Sequence, residues 1–166
     1  MNPDEMAVIA VGGNLSGDYP SSEALLEAAI DQFGQAELPV VRRSGWWRSA
    51  AWPDAGAPDY LNAVILVETK LEPEAVLARL LALEAAFGRR RGVQNAPRTL
   101  DLDLIAHGRR VVASPGLTLP HPRAHERLFV MGPLAEIAPG WTHPILGRTA
   151  AELAAGASVG RDARPV

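Results

Sequence analysis

From Leu100 to Leu104 the chain reads Leu-Asp-Leu-Asp-Leu, and this period of two constrains the fold more than any other stretch. Successive side chains of a strand point to opposite faces, so residues i and i+2 share one. A strand here buries Leu100, Leu102 and Leu104 and sends Asp101 and Asp103 together to the other side. A helix would scatter both sets around its circumference. The chain therefore holds a sheet with an apolar face under it and a pair of like charges on top.

The flanking segments supply the rest of that sheet and its cover. Ala7 to Val11 is a continuous apolar run closed by Gly12 and Gly13, which predicts a buried strand and a tight turn. Ser21 or Ser22 caps a helix whose apolar face runs from Ala24 to Phe33 and which Gly34 ends. Pro39 to Arg48, with Val40, Val41, Trp46 and Trp47, predicts a second strand, and a long loop follows from Ala50 to Pro58. Tyr60 to Thr69 is a third strand. Glu72 to Phe87 is a helix with Pro73 in its first turn and Leu77, Leu80, Leu81, Leu83 and Ala85 on its apolar face. A polar loop from Arg89 to Pro97 leads into the Leu/Asp strand, which extends to Ala106. Gly108 and Arg109 then turn it toward a short partner at Val111 and Val112. Beyond lie proline-rich turns with short helical pieces, a final helix near Thr149 to Ala155, and ten last residues expected to be frayed.

The order β-α-β-β-α-β predicts an α+β fold of the ferredoxin-like type: an antiparallel sheet with helices packed on it and two long mobile loops. Residues 1–166 are expected to form one domain, with a core from about 6 to 155 and a loose tail over 156–166. The absence of cysteine excludes disulfides, thiolate metal sites and cysteine nucleophiles. Met1 to Glu5 is acidic and the apolar run after it is short, which argues against a secretory signal; no stretch reaches the length of a membrane span. A cytoplasmic protein without membrane partners is the expectation. The net charge of −3 disfavours a general polyanion binder.

Four constellations carry chemistry. Asp101 and Asp103, held on one face, repel each other unless a cation sits between them, and magnesium favours a pair of carboxylates completed by substrate phosphates. An alternating edge strand with two solvated acids fits the same residues. Nearly all the cations are arginine, with Lys70 the single lysine, and Arg89, Arg90, Arg91 and Arg98 cluster around one loop. The guanidinium fork suits phosphate, although a basic surface loop paired with Glu84 fits too. His121 stands between Pro120 and Pro122, so its direction is set; it can meet a phosphate or serve the fold. Tyr60 and Asn62 share one strand face, an aromatic plane beside an amide that both donates and accepts, which suits a flat heterocycle or a core rim.

Their order along the chain resembles the 6-hydroxymethyl-7,8-dihydropterin pyrophosphokinase family. The resemblance rests on Gly12-Gly13-Asn14-Leu15, Asp59-Tyr60-Leu61-Asn62-Ala63-Val64, Pro97-Arg98-Thr99-Leu100-Asp101-Leu102-Asp103, Leu117-Thr118-Leu119-Pro120-His121-Pro122, Arg127-Leu128-Phe129-Val130 and Pro133-Leu134-Ala135-Glu136-Ile137-Ala138-Pro139, and it spans Ala7 to Leu153. It implies ATP as co-substrate and two magnesium ions on Asp101 and Asp103. Tyr60 and Phe129 would sandwich the pterin, Asn62 would read its edge, and Ser49 would lie beside it. Arg89 and Arg98, with Arg91 nearby, would reach the triphosphate. Glu84, Leu104, Thr118, His121 and Arg127 would line the ATP pocket. Pyrophosphate would pass to the pterin hydroxymethyl oxygen with release of AMP, under closure of the loops Ser49 to Pro58 and Arg89 to Pro97. A monomer that binds these two small molecules and no nucleic acid is implied. The chain departs from the family pattern at Gly13, where serine is usual, at Ser49-Ala50, where threonine-proline is usual, and at Asn95-Ala96.

A binding module of the same fold would need no metal, so the aspartate pair argues against it. A single-stranded RNA binder would stack bases on strand aromatics. Aromatic residues are only 5% of this chain, and its strands carry acids and aliphatics instead.

Overall fold

The computed structural model describes residues 2–51, 56–88 and 99–166. Strand β1 (Ala7–Gly13) leads into helix α1 (Ser22–Asp31), which Ser21 caps by accepting from the Ala24 N–H. The predicted second strand is two pieces, β2 (Val40–Arg43) and β3 (Trp47–Ser49), followed by β4 (Tyr60–Val67), α2 (Pro73–Ala86) and β5 (Asp101–His107). The main sheet runs β5-β1-β4-β3, with β2 also against β4, and these pairings are antiparallel. Because β2 and β3 share one flank of β4, they fill a single place in the sheet. Four positions in the order 4-1-3-2 are the ferredoxin-like arrangement.

The break between β2 and β3 has a local cause. Ser44 turns its hydroxyl to the Val64 N–H at 3.0 Å while its own N–H donates to Val64 O at 2.9 Å. The next residue, Gly45, donates its N–H to the Glu136 carboxylate at 2.6 Å. A side chain thus replaces one rung of the ladder, and a uniform strand from Pro39 to Arg48 cannot form.

Two apolar layers enclose the sheet. On one side Ile9, Val11, Leu61, Ile65, Leu100, Leu102 and Leu104 pack against Leu25, Leu26 and Phe33 of the α1 region and Val76, Leu80 and Leu83 of α2. Leu81 and Ala85, expected on that apolar face, are exposed, and Val76 and Glu84 are buried instead. On the other side Val8, Val64, Leu66 and Ile105 meet Val130, Met131 and Leu134 of α3 (Leu128–Ile137), Trp141, and Leu153 of α4 (Ala150–Ala155).

Helix α3 is among the short helical pieces expected between the proline-rich turns, although no boundary for it was predicted. Pro133 lies inside it and removes the donor that would reach Phe129 O. Val130 to Leu134 are all buried, so the segment shows no polar face and no helical period. Tertiary burial, not local pattern, makes it a helix. The final helix begins where expected, with Thr149 and Glu152 forming a capping box.

Two further expectations are corrected. Val111 and Val112 do not continue β5 as a hairpin partner. Strand β6 (Val112–Ser114) instead pairs with β7 (Leu117–Leu119) in a separate ribbon, because the positive φ of Gly116 makes a tight turn between them. Nor is the tail loose. Strand β8 (Arg164–Pro165) pairs with β3, Val166 N–H donates to Trp46 O at 2.9 Å, and Ala163 is buried. The unpaired backbone edge of β3 supplies hydrogen bonds that a solvated tail would otherwise find only in water.

Candidate active site

The site is the part of the sheet face that α3 and α4 leave uncovered. Antiparallel register sets its rows: Asn62, Gly12 and Asp101 lie abreast on β4, β1 and β5, and Val64, Ala10 and Asp103 form the next row. Both aspartates are half-buried, while Leu100, Leu102 and Leu104 are in the opposite layer, as the alternation requires. Gly12 is the residue that lets this row close. A Cβ there would stand 3.1 Å from Asn62 Oδ1 and 3.2 Å from Leu61 O. The buried Asn62 amide therefore lays its Oδ1 over Gly12 of β1, while on the other flank of β4 its Nδ2 donates to Ser49 Oγ of β3 at 2.9 Å. Tyr60 faces Ser49 in the register of β3 and β4 and is half-buried. Asn14, buried beyond the end of β1, donates to Pro58 O at 3.0 Å and holds the approach to Tyr60.

On the far side, β7 delivers Leu119-Pro120-His121, with a cis bond between Leu119 and Pro120, and the His121 N–H donates to Ile105 O at 2.8 Å. His121 Nδ1 accepts the Arg123 N–H at 3.2 Å, so in the neutral ring the proton belongs on Nε2. Burial pushes the His121 pKa down to about 4. Arg127 and Arg123 add to the depression, and Asp101 opposes it. His121 is accordingly neutral at physiological pH and lies within the electrostatic reach of Asp101 and Arg127. The Arg127 guanidinium sits over the Phe129 ring at 5.8 Å from its centroid.

This depression has a consequence for stability. Above pH 6.5 neither folded nor unfolded His121 is protonated. Between 6.5 and about 4 the unfolded chain takes up a proton that the folded chain refuses, so folding weakens as pH falls through that window. In the His121→Gln variant the drop in urea midpoint between about pH 7.5 and pH 5 is expected to be smaller than in the parent. An equal drop would show that His121 takes up its proton when folded.

The remaining expected residues divide. Glu84 is 1% exposed and its Oε2 accepts the Leu102 N–H at 2.7 Å, closing part of the open edge of β5. The Leu104 side chain belongs to the core, so only its backbone can face a ligand. Thr118 is exposed on β7. Arg89, Arg91 and Arg98, with Arg90, Asn95 and Pro97, lie outside the described residues. The flanks of their segment are tied together, because the Thr99 hydroxyl donates to Phe87 O at 2.8 Å immediately before β5. Sequence reasoning did not find the part played by Gly12 in seating Asn62; its signal is a glycine in the middle of a row whose neighbours are an amide and a carboxylate.

Two carboxylates on one open face, a neutral imidazole and a buried amide beside aromatic rings can hold a hydrated divalent cation with phosphates on one side and a planar heterocycle on the other. Residues 8–139 match the 7,8-dihydro-6-hydroxymethylpterin-pyrophosphokinase (HPPK) family. The chain belongs to that family. It is 42% identical over 147 residues to the 2-amino-4-hydroxy-6-hydroxymethyldihydropteridine pyrophosphokinase of Synechocystis, covering 89% of this chain and 73% of that protein. The enzyme of the same name from Haemophilus influenzae is 39% identical over 132 residues, 80% of this chain and 81% of that one. A crystal structure of Plasmodium falciparum HPPK-DHPS superimposes with a TM-score of 0.72 over 96% of this chain and 47% of that one; at 11% identity it bears on the fold alone. This HPPK-family chain is an enzyme of pyrophosphoryl transfer in folate biosynthesis with ATP as co-substrate. No helix of its described residues is long and apolar enough to cross a membrane.

Proposed function

We propose that this chain transfers the β,γ-pyrophosphoryl group of ATP to the hydroxymethyl oxygen of 6-hydroxymethyl-7,8-dihydropterin and releases AMP. The pterin oxygen attacks the β-phosphorus as the bond from that phosphorus to the α-bridging oxygen breaks. The hydroxyl proton leaves to solvent and AMP carries away the electron pair. The observation that carries this reading is the alignment of Asn62, Gly12 and Asp101 in one row, with Asp103 in the next, on an open sheet face.

Asn62, oriented by Ser49, presents its amide to the pterin edge, and Tyr60 and Phe129 supply the flanking rings. Asp101 and Asp103 are hard oxygen donors on one face and fit magnesium, two ions in our reading, with coordination completed by phosphates and water. Bound there, magnesium would neutralise charge on the transferring phosphates. Neutral His121 donates from Nε2 to a phosphate oxygen, and Arg127 adds positive charge beside it. Thr118 and the backbone of Leu104 face the nucleotide along the β5 edge, with Glu84 holding that edge in place. Arg89, Arg91 and Arg98 complete the neutralisation of the triphosphate. In-line positioning and charge neutralisation carry phosphoryl transfer without a dedicated base.

The test is nucleotide product analysis with ATP and magnesium, with and without the pterin alcohol. Pterin-dependent AMP is the expected product. ADP in its place, or AMP formed equally without pterin, would overturn the reading.

A further inference from the structure

We propose that the segment from Ser158 to Val166 is a positioning element for the pterin pocket, acting through Asp162 on the Ser49 end of β3 and through Gly160 on Phe129. The inference rests on the reading that Ser49, Asn62 and Phe129 hold the pterin. The segment lies beyond residues 8–139, the part of the chain that matches the family.

Its course links the two sides of the pocket. After α4 the chain returns to the start of α3, where the Ser158 and Val159 N–H groups donate to Glu126 O at 3.0 and 2.9 Å, and Leu128 N–H donates to Val159 O at 2.9 Å. Gly160 follows with φ +68, a conformation that L side chains rarely adopt. Its Cα lies so close to Phe129 that a Cβ would stand 2.4 Å from Cδ1 and 2.8 Å from Cε1 of the ring. Phe129 thus has the Arg127 guanidinium over its face and the Gly160 backbone against its edge carbons. Two residues on, Asp162 Oδ2 accepts the Ala50 N–H at 2.7 Å. Arg164 and Pro165 then pair with Arg48 and Trp47.

Ala50 directly follows Ser49, whose hydroxyl accepts from the Asn62 amide. The carboxylate of Asp162 therefore pins the strand end that orients Asn62, while Gly160 sets how far Phe129 swings out from α3. The Asp162 contact acts on the heterocycle side alone, whereas Gly160 also reaches Arg127 through the Phe129 ring beneath its guanidinium. A charge-assisted hydrogen bond from a carboxylate to a backbone N–H is stronger than a neutral one, so its loss should be measurable in affinity.

The experiment uses the full chain in four forms beside the parent: Asp162→Ala, Asp162→Asn, Gly160→Ala and Asn62→Ala. For each, pterin Kd is measured by titration calorimetry with a non-hydrolysable ATP analogue and magnesium, together with KM for ATP and Tm. Asp162→Ala is expected to weaken pterin binding by roughly tenfold with the KM for ATP unchanged within about twofold, and Gly160→Ala, which displaces the ring under Arg127, to weaken pterin binding by a similar factor. Asp162→Asn, which keeps an acceptor for Ala50, is expected to recover most of the affinity. A merely structural tail would lower Tm and move both substrates together, and that result overturns the proposal. If Asn62→Ala loses pterin binding while the three tail variants retain it, the tail inference fails and the pocket assignment stands. If Asn62→Ala binds pterin as the parent does, the pocket assignment itself fails.

Discussion

Replacing Asp103 by alanine is expected to lower kcat for AMP release by on the order of 10³-fold while changing pterin Kd by less than about threefold. The asymmetry follows from the rows of the sheet. Asp103 lies abreast of Ala10 and Val64, one row beyond Asn62, and in the function proposed above its carboxylate serves the phosphates and not the heterocycle. Removing it leaves Asp101 alone to hold the cation while the charge developing on the transferred phosphates is poorly neutralised. Asp103→Asn keeps the shape and discards the charge, so it should lose nearly as much turnover as the alanine variant. Quenched-flow measurement of AMP, with calorimetric titration of the pterin, separates the two quantities. Turnover within tenfold of the parent in Asp103→Ala would remove this residue from the metal site.

Trp141→Ala is expected to destabilise the fold by about 3–5 kcal/mol, a large share of the ~5–15 kcal/mol typical of a domain. Trp141 is 1% exposed and packs in the layer formed by α3, α4 and the β1, β4 and β5 side chains that face them. Its backbone ties the layer as well, because its N–H donates to Ala138 O at 3.0 Å and its carbonyl accepts the Ala150 N–H at 2.7 Å. The alanine variant keeps those backbone bonds and loses the indole, so the effect isolates packing. Since α3 carries Phe129 in its first turn, the same variant should loosen the proposed pterin pocket before it unfolds globally. Urea denaturation monitored by circular dichroism measures the loss. A destabilisation below about 1 kcal/mol would mean that the first layer, under α1 and α2, stabilises the sheet almost alone.

Local patterns were legible wherever the physics is local. The alternation at Leu100 to Leu104 placed three leucines in one layer and two aspartates on the other face without knowledge of any neighbour. The first helix start was legible as Ser21 or Ser22, of which the structure uses Ser21, because a cap is a bond between residues three apart, and the last helix was placed near Thr149. Asn62, Tyr60 and Ser49 were each nominated from the motif-bearing stretches, but that Asn62 donates to Ser49 is a matter of β3 lying beside β4. The break at Ser44 and Gly45 depends on Val64 and Glu136, which are remote in the chain. The bounds of helix α3, one of the short helical pieces expected there, were not legible because nearly every residue in its middle is buried, which erases the polar face that a period needs.

By itself, then, the amino-acid order determined which residues could serve as strand, cap, core and ligand, since propensity, period and charge act over a few residues. Tertiary structure alone decided which of them meet. It put Gly12 between Asn62 and Asp101, set His121 within the fields of Asp101 and Arg127, and brought the tail back across the chain to β3 and Phe129. Those juxtapositions depend on strand register and on backbone groups seeking partners across long sequence separations, and no window of neighbouring residues contains that information.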